Sequence, residues 1–136
     1  MNARDALAEL KALLKEAERL SLALDAERDA RPRSPQMTGM PKAGNGSTLD
    51  INIMRIESAE KRFEKARDRY LERLNEIEDL MDQIEDCRFQ RVLYFRHIYL
   101  MKWEEVAERM HYAESTVRGF HKKALEDLTR RMKNAE

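Results

Sequence analysis

Leu49, Ile56, Phe63, Tyr70, Ile77 and Ile84 stand seven residues apart. Seven residues make two turns of an α-helix and return to the same face, whereas the two-residue period of a strand would throw every second one to the opposite side. Ala59, Ala66, Leu80 and Cys87 fill the seam between them, and Leu74 and Met81 extend it. The spacing predicts one long coiled-coil or bundle helix over 49–87. A cap at Ser47 or Thr48 is expected, with Asp50 adding favourable charge in the first turn. At 1.5 Å per residue such a helix is about 55 Å long. A shorter neighbour leaves part of that seam bare, so a homodimer whose helices bundle together is expected.

The shorter neighbour lies upstream. Leu7, Leu10, Leu14, Ala17 and Leu24 recur at helical spacing, and Leu13 and Leu20 widen the stripe, which predicts an amphipathic helix over 1–30. It ends at "RPRSP", where Pro32 and Pro35 cannot continue a helix. Residues 31–48 hold all three prolines and three of the four glycines and read as a flexible linker. Gly39, Gly44 and Gly46 lack the following Lys-Ser/Thr and the preceding strand of a phosphate loop.

Composition agrees with an all-α fold: 38% of residues are charged and only 7% aromatic. The zero net charge hides an asymmetry. Residues 1–87 carry 15 Lys and Arg against 19 Asp and Glu, and residues 88–136 carry 11 against 7. A basic C-terminal third is where a polyanion would be met. The acidic stretch Glu72 to Asp86 reads as the solvated face of the long helix. One cysteine, Cys87, excludes an internal disulfide and is expected as a small buried member of the seam. No segment has the apolar run of a secretory signal or a membrane span, so a cytoplasmic protein without membrane contact is expected.

Residues 88–136 read as a separate compact domain. Phe89, Val92, Leu93, Phe95, Ile98 and Leu100 are too dense for an exposed helix and predict a core. In "KWEEVAERM", Trp103, Val106, Ala107 and Met110 face one way, with Trp103 as a core anchor and the small Ala107 permitting a close helix crossing. "HYA" breaks the pattern, and a last helix follows. Steps of 100° gather Val117, Phe120, Ala124 and Leu128 on one side and Ser115, Arg118, Gly119, Lys122 and Lys123 on the other. Arg bridges the two acceptors of guanine, Ser is a tolerant base partner, and Lys neutralises phosphate. Glu114 at the tip can accept from the amino group of cytosine and complements the positive end of the helix.

The ordered series Glu105-Val106-Ala107, Met110, Ser115-Thr116-Val117, Phe120, Ala124-Leu125 and Leu128 resembles the helix-turn-helix of bacterial sigma-70 region 4. The longer run "RVLYFRHIYLMKWEEVAERMHYAESTVRGFHKKAL", with the long helix and "MTGMPKAG" before it, is similar to the ArpU/RinA-like regulators of phages and prophages. That resemblance implies a sequence-specific transcription regulator that binds double-stranded DNA, with its recognition helix starting near Glu114 in the major groove. By analogy Glu114, Ser115 and Gly119 face bases, and Arg118, Lys122 and Lys123 contact the backbone. The sequence departs from the family at three places: His111 stands where such turns usually carry glycine, Ala113 where a capping Ser or Thr is common, and Gly119 where a polar base reader is usual.

Other chemistry finds no foothold in the pattern. His97, His111 and His121 lack metal-ligand spacing, so no metal is expected. No nucleophile has a neighbouring base, so neither catalysis nor a cofactor is expected. The competing expectation is an interaction protein whose coiled-coil stalk bridges partners such as RNA polymerase subunits, with the terminal helices docking protein instead of DNA.

Overall fold

The computed structural model describes residues 1–30 and 47–136, and every regular element among them is helical. Helix α1 spans Ala3–Asp29, α2 Ser47–Asp82, α3 Cys87–Leu93, α4 Trp103–Met110 and α5 Glu114–Ala135. A π-helical turn, Tyr94–Ile98, continues α3. The all-α expectation holds for these residues. The expected linker over 31–48 lies outside them except for Ser47 and Thr48, which open α2.

Two compact units divide the chain: residues 13–70, and residues 1–12 together with 71–136. In the first, the later part of α1 and the earlier part of α2 pair in opposite directions. Arg55 Nη2 reaches Glu27 Oε1 at 2.9 Å and Arg28 Nη2 reaches Glu60 Oε1 at 3.2 Å. These are solvent-facing pairs of small energetic weight. Burial of Ala17, Leu24 and Ala66 contributes more. Leu49, Ile51, Ile53 and Met54 at the start of α2 are exposed, as is Leu22.

The second unit has a denser core, to which every one of its helices contributes. Leu7 and Leu10 of α1, Ile77 and Met81 of α2, Val92 and Leu93 of α3, Val106 of α4, and Val117 and Leu128 of α5 are all buried. The first turns of α1 are tied to α5 as well, because the Ala3 N–H donates to Thr129 Oγ1 at 2.9 Å. The compact C-terminal domain expected over 88–136 thus also takes in residues 1–12 and 71–87.

The long helix stops short of its expected end at Cys87. After Asp82 the bonds tighten to Gln83 N–H on Leu80 O and Ile84 N–H on Met81 O, and the chain leaves the helix. Asp86 then caps α3 by accepting the Arg88 N–H at 2.9 Å while also pairing with the Arg88 guanidinium. Cys87 is therefore the exposed first residue of α3, not a buried member of the seam. Of the acidic stretch, Asp82 and Asp86 have local work: Asp82 accepts from the Tyr94 hydroxyl at 2.7 Å. Burial, with Asp82 beside it, pushes the Tyr94 phenol well above its usual range.

The π turn is defined by the Tyr99 N–H on Tyr94 O and the Met101 N–H on Phe95 O, each 2.9 Å. Leu100 then takes a left-handed conformation at φ 55° and ends the segment. It is 48% exposed, so it is not the core residue that the sequence predicts.

Between α4 and α5 lie only His111, Tyr112 and Ala113. His111 ends α4 at φ 61°, ψ 40°, the left-handed conformation that glycine adopts without strain. His111→Gly is expected to raise stability by about 0.5–1 kcal/mol, read as a higher urea midpoint. A lower midpoint would mean that the imidazole makes a compensating contact. Ala113 precedes α5 with no side-chain cap.

Candidate nucleic-acid interface

Val117, Ala124, Leu125, Leu128 and Met132 bury one side of α5, mainly against α3 and α4. That burial fixes the rotation of the helix, and so decides which residues stand outward. Ser115, Gly119, Lys122 and Lys123 are all exposed, and a Cβ placed on Gly119 would meet nothing within 4 Å. These four expected contact residues form one open face. Phe120, half-buried, sits at its edge beneath Tyr112, the two rings meeting edge to face at 5.0 Å, with the Arg88 guanidinium 4.9 Å from the Phe120 ring.

Glu114 and Arg118 are arranged differently. Arg118 donates from Nη2 to Glu114 Oε1 at 2.9 Å, and its guanidinium lies 4.9 Å from the Trp103 ring. The expected base reader at the helix tip is thus occupied by the expected backbone contact one turn later. The pair is solvent-facing, and a phosphate can compete for the guanidinium at small cost.

Beside this face is a cleft of about 580 Å³ that sequence reasoning missed. Arg4 and Lys11 of α1, Arg96 and His97 of the π turn, Trp103 of α4, and Arg118 and His121 of α5 line it, and no carboxylate does. Trp103 is half-buried here and is not the core anchor expected: Arg96 lies 4.7 Å from its ring and His121 meets it edge to face at 4.8 Å. His97 and His121 share a hydrogen bond between their Nε2 atoms at 2.8 Å, one ring donating and the other accepting.

Both imidazoles are pushed down to about 4, first by burial and then by the cations around them. The charges acting on His97 are His121, Arg96 and Lys11, and those on His121 are Arg4, Arg96 and Arg118. The unfolded chain, with imidazoles near 6.5, therefore takes up protons first. Stability is full above about pH 6.5 and falls as pH drops through the window toward about 4. The expected loss is on the order of 3 kcal/mol from His97, with a smaller share from the more exposed His121, which is counted at a discount. Urea midpoints across that window check it against a His121→Gln variant, whose curve should be flatter; parallel curves would contradict it.

The hydroxyl, glycine and lysines of α5 were legible from 100° steps. The cleft was not, although Arg118, His121 and Leu125 at spacings of three and four do mark one flank of α5. His97 and Arg96 lie in the π turn, where a 3.6-residue period misplaces side chains. No group of His, Cys, Asp and Glu among the described residues could hold a metal ion, and no helix there is long and apolar enough to cross a membrane. Comparison of the chain with protein-family models, with curated proteins and with solved structures finds no match in any of the three.

Proposed function

We propose that the protein is a sequence-specific DNA-binding transcription regulator of phage or prophage type, in which α4 and α5 form a sigma-70 region 4-like helix-turn-helix. Helix α5 enters the major groove of double-stranded DNA, Ser115 and Gly119 approach base edges, and Lys122 and Lys123 meet phosphates. The observation that carries this reading is the open face of α5 on a helix anchored by its opposite side. The protein acts in the cytoplasm and without catalysis. It works as a homodimer, for which the exposed Leu49, Ile51, Ile53 and Met54 offer an apolar contact.

Those same exposed side chains favour the second reading, a coiled-coil scaffold that contacts the transcription machinery through protein surfaces. Selection of bound duplexes from a random pool with purified protein separates the two. The regulator gives an enriched consensus with two-fold symmetry, reflecting a dimer. Duplex binding should also weaken steeply with salt, and Lys122→Gln should flatten the slope by about one unit. No enrichment and no salt-sensitive binding would leave the scaffold.

A further inference from the structure

The cleft beside α5 gathers Arg4, Lys11, Arg96 and Arg118 around Trp103 with no carboxylate among its lining residues. Glu114, outside the lining, already pairs with Arg118, but Arg4, Lys11 and Arg96 have no ion-pair partner among the described residues, so their like charges repel and the cleft gains stability when an anion enters. Two of the four cations are already held in place. Arg96 donates from Nη1 to the Met101 carbonyl at 2.9 Å while lying 4.7 Å from the Trp103 ring, and Arg118 lies 4.9 Å from the same ring. Guanidiniums fixed in this way lose little freedom on meeting a ligand, and their remaining N–H groups suit the paired oxygens of a phosphate. Arg4 and Lys11 stand on one face of α1, seven residues apart, and neither has an ion-pair partner among the described residues.

We propose that this cleft is a phosphate-binding site to which α1 contributes Arg4 and Lys11, and α5 and the π turn contribute Arg118 and Arg96. The hydrogen-bonded His97–His121 pair forms part of its wall, held toward the neutral form first by burial and then by the neighbouring cations. The phosphate has two sources. A duplex lying on α5 would place a backbone phosphate at the cleft, which extends the reading above. A free phosphorylated small molecule would occupy it independently of that reading.

Trp103 is the chain's single tryptophan and lies in the cleft wall, so its fluorescence is the readout. Titration of the full chain with pyrophosphate at constant ionic strength should give a saturable change. In an Arg4→Gln, Lys11→Gln variant the affinity should fall about tenfold or more. Lys15→Gln, further along α1, should leave it unchanged. Both α1 positions are exposed, and a urea midpoint no lower than the parent's confirms that the variant folds. Duplex affinity measured against salt on the same proteins identifies the source. A slope reduced by about one unit in the double variant assigns the site to a backbone phosphate. An unchanged slope with a lost pyrophosphate response assigns it to a free phosphate, and absence of duplex binding by the parent chain would undo the regulator reading while leaving the pyrophosphate result standing. No saturable response to pyrophosphate, or one that the double variant retains, overturns the site.

Discussion

Replacing Arg118, Lys122 and Lys123 together by glutamine should weaken duplex binding about a hundredfold near physiological salt. Each backbone contact releases close to one condensed counterion, so losing three removes about three units from the dependence of log affinity on log salt. The effect should be alike on all duplex sequences, because phosphate contacts position a helix without reading bases. Ser115→Ala should behave in the opposite way, altering preference among sequences while leaving the salt slope alone. All four side chains are exposed, and the core beneath them is untouched by these changes. Arg118→Gln also releases Glu114 from its ion pair and presents a free carboxylate to the phosphates. Arg118 should therefore be the most costly single change of the three. Filter binding or fluorescence anisotropy over a salt series measures both quantities, and an unchanged slope would remove α5 from the contact surface.

Leu93→Ala should destabilise the protein by about 3 kcal/mol. Leu93 is fully buried in α3, and α3 packs chiefly on α5, so the deleted atoms leave a hole beneath the proposed recognition helix. Against a total of about 5–15 kcal/mol for an ordinary domain, that loss is large. Chemical denaturation should show it as a lower midpoint with little change in slope. Leu49→Ala is the informative contrast. Leu49 sits on the same seven-residue repeat as the buried Ile77 yet is 54% exposed, so the isolated chain should lose less than about 0.5 kcal/mol. If Leu49→Ala instead costs stability in a concentration-dependent way, the start of α2 lies in a subunit contact.

The outcome at those two positions reflects what a repeat can disclose. Leu49 and Ile77 are identical in periodic terms, and their different exposure depends on which partner each stretch of α2 finds, information that a single helix does not carry. The end of α2 was hidden for a related reason. Ile84 keeps the beat of the repeat and is buried, but it does so from the connection after the helix, so the apolar pattern runs through the break unaltered. The visible signal was Asp86, whose carboxylate caps α3. Helices α1, α4 and α5 were readable because their own burial sets the spacing of Leu7, Val106 and Val117 among their neighbours. His111 was readable too, since a histidine is one of the few residues that tolerate a left-handed turn. Leu100, a branched side chain in that same conformation, gives no such warning in sequence.

The bond from Ala3 to Thr129 joins residues separated by 126 positions. During translation Ala3 emerges long before Thr129 exists, so the opening turns of α1 have no final berth while most of the chain is being made. Closing a loop of that length costs entropy before the contact rewards it, so the docking of the opening turns of α1 onto α5 adds a long-range step that slows folding.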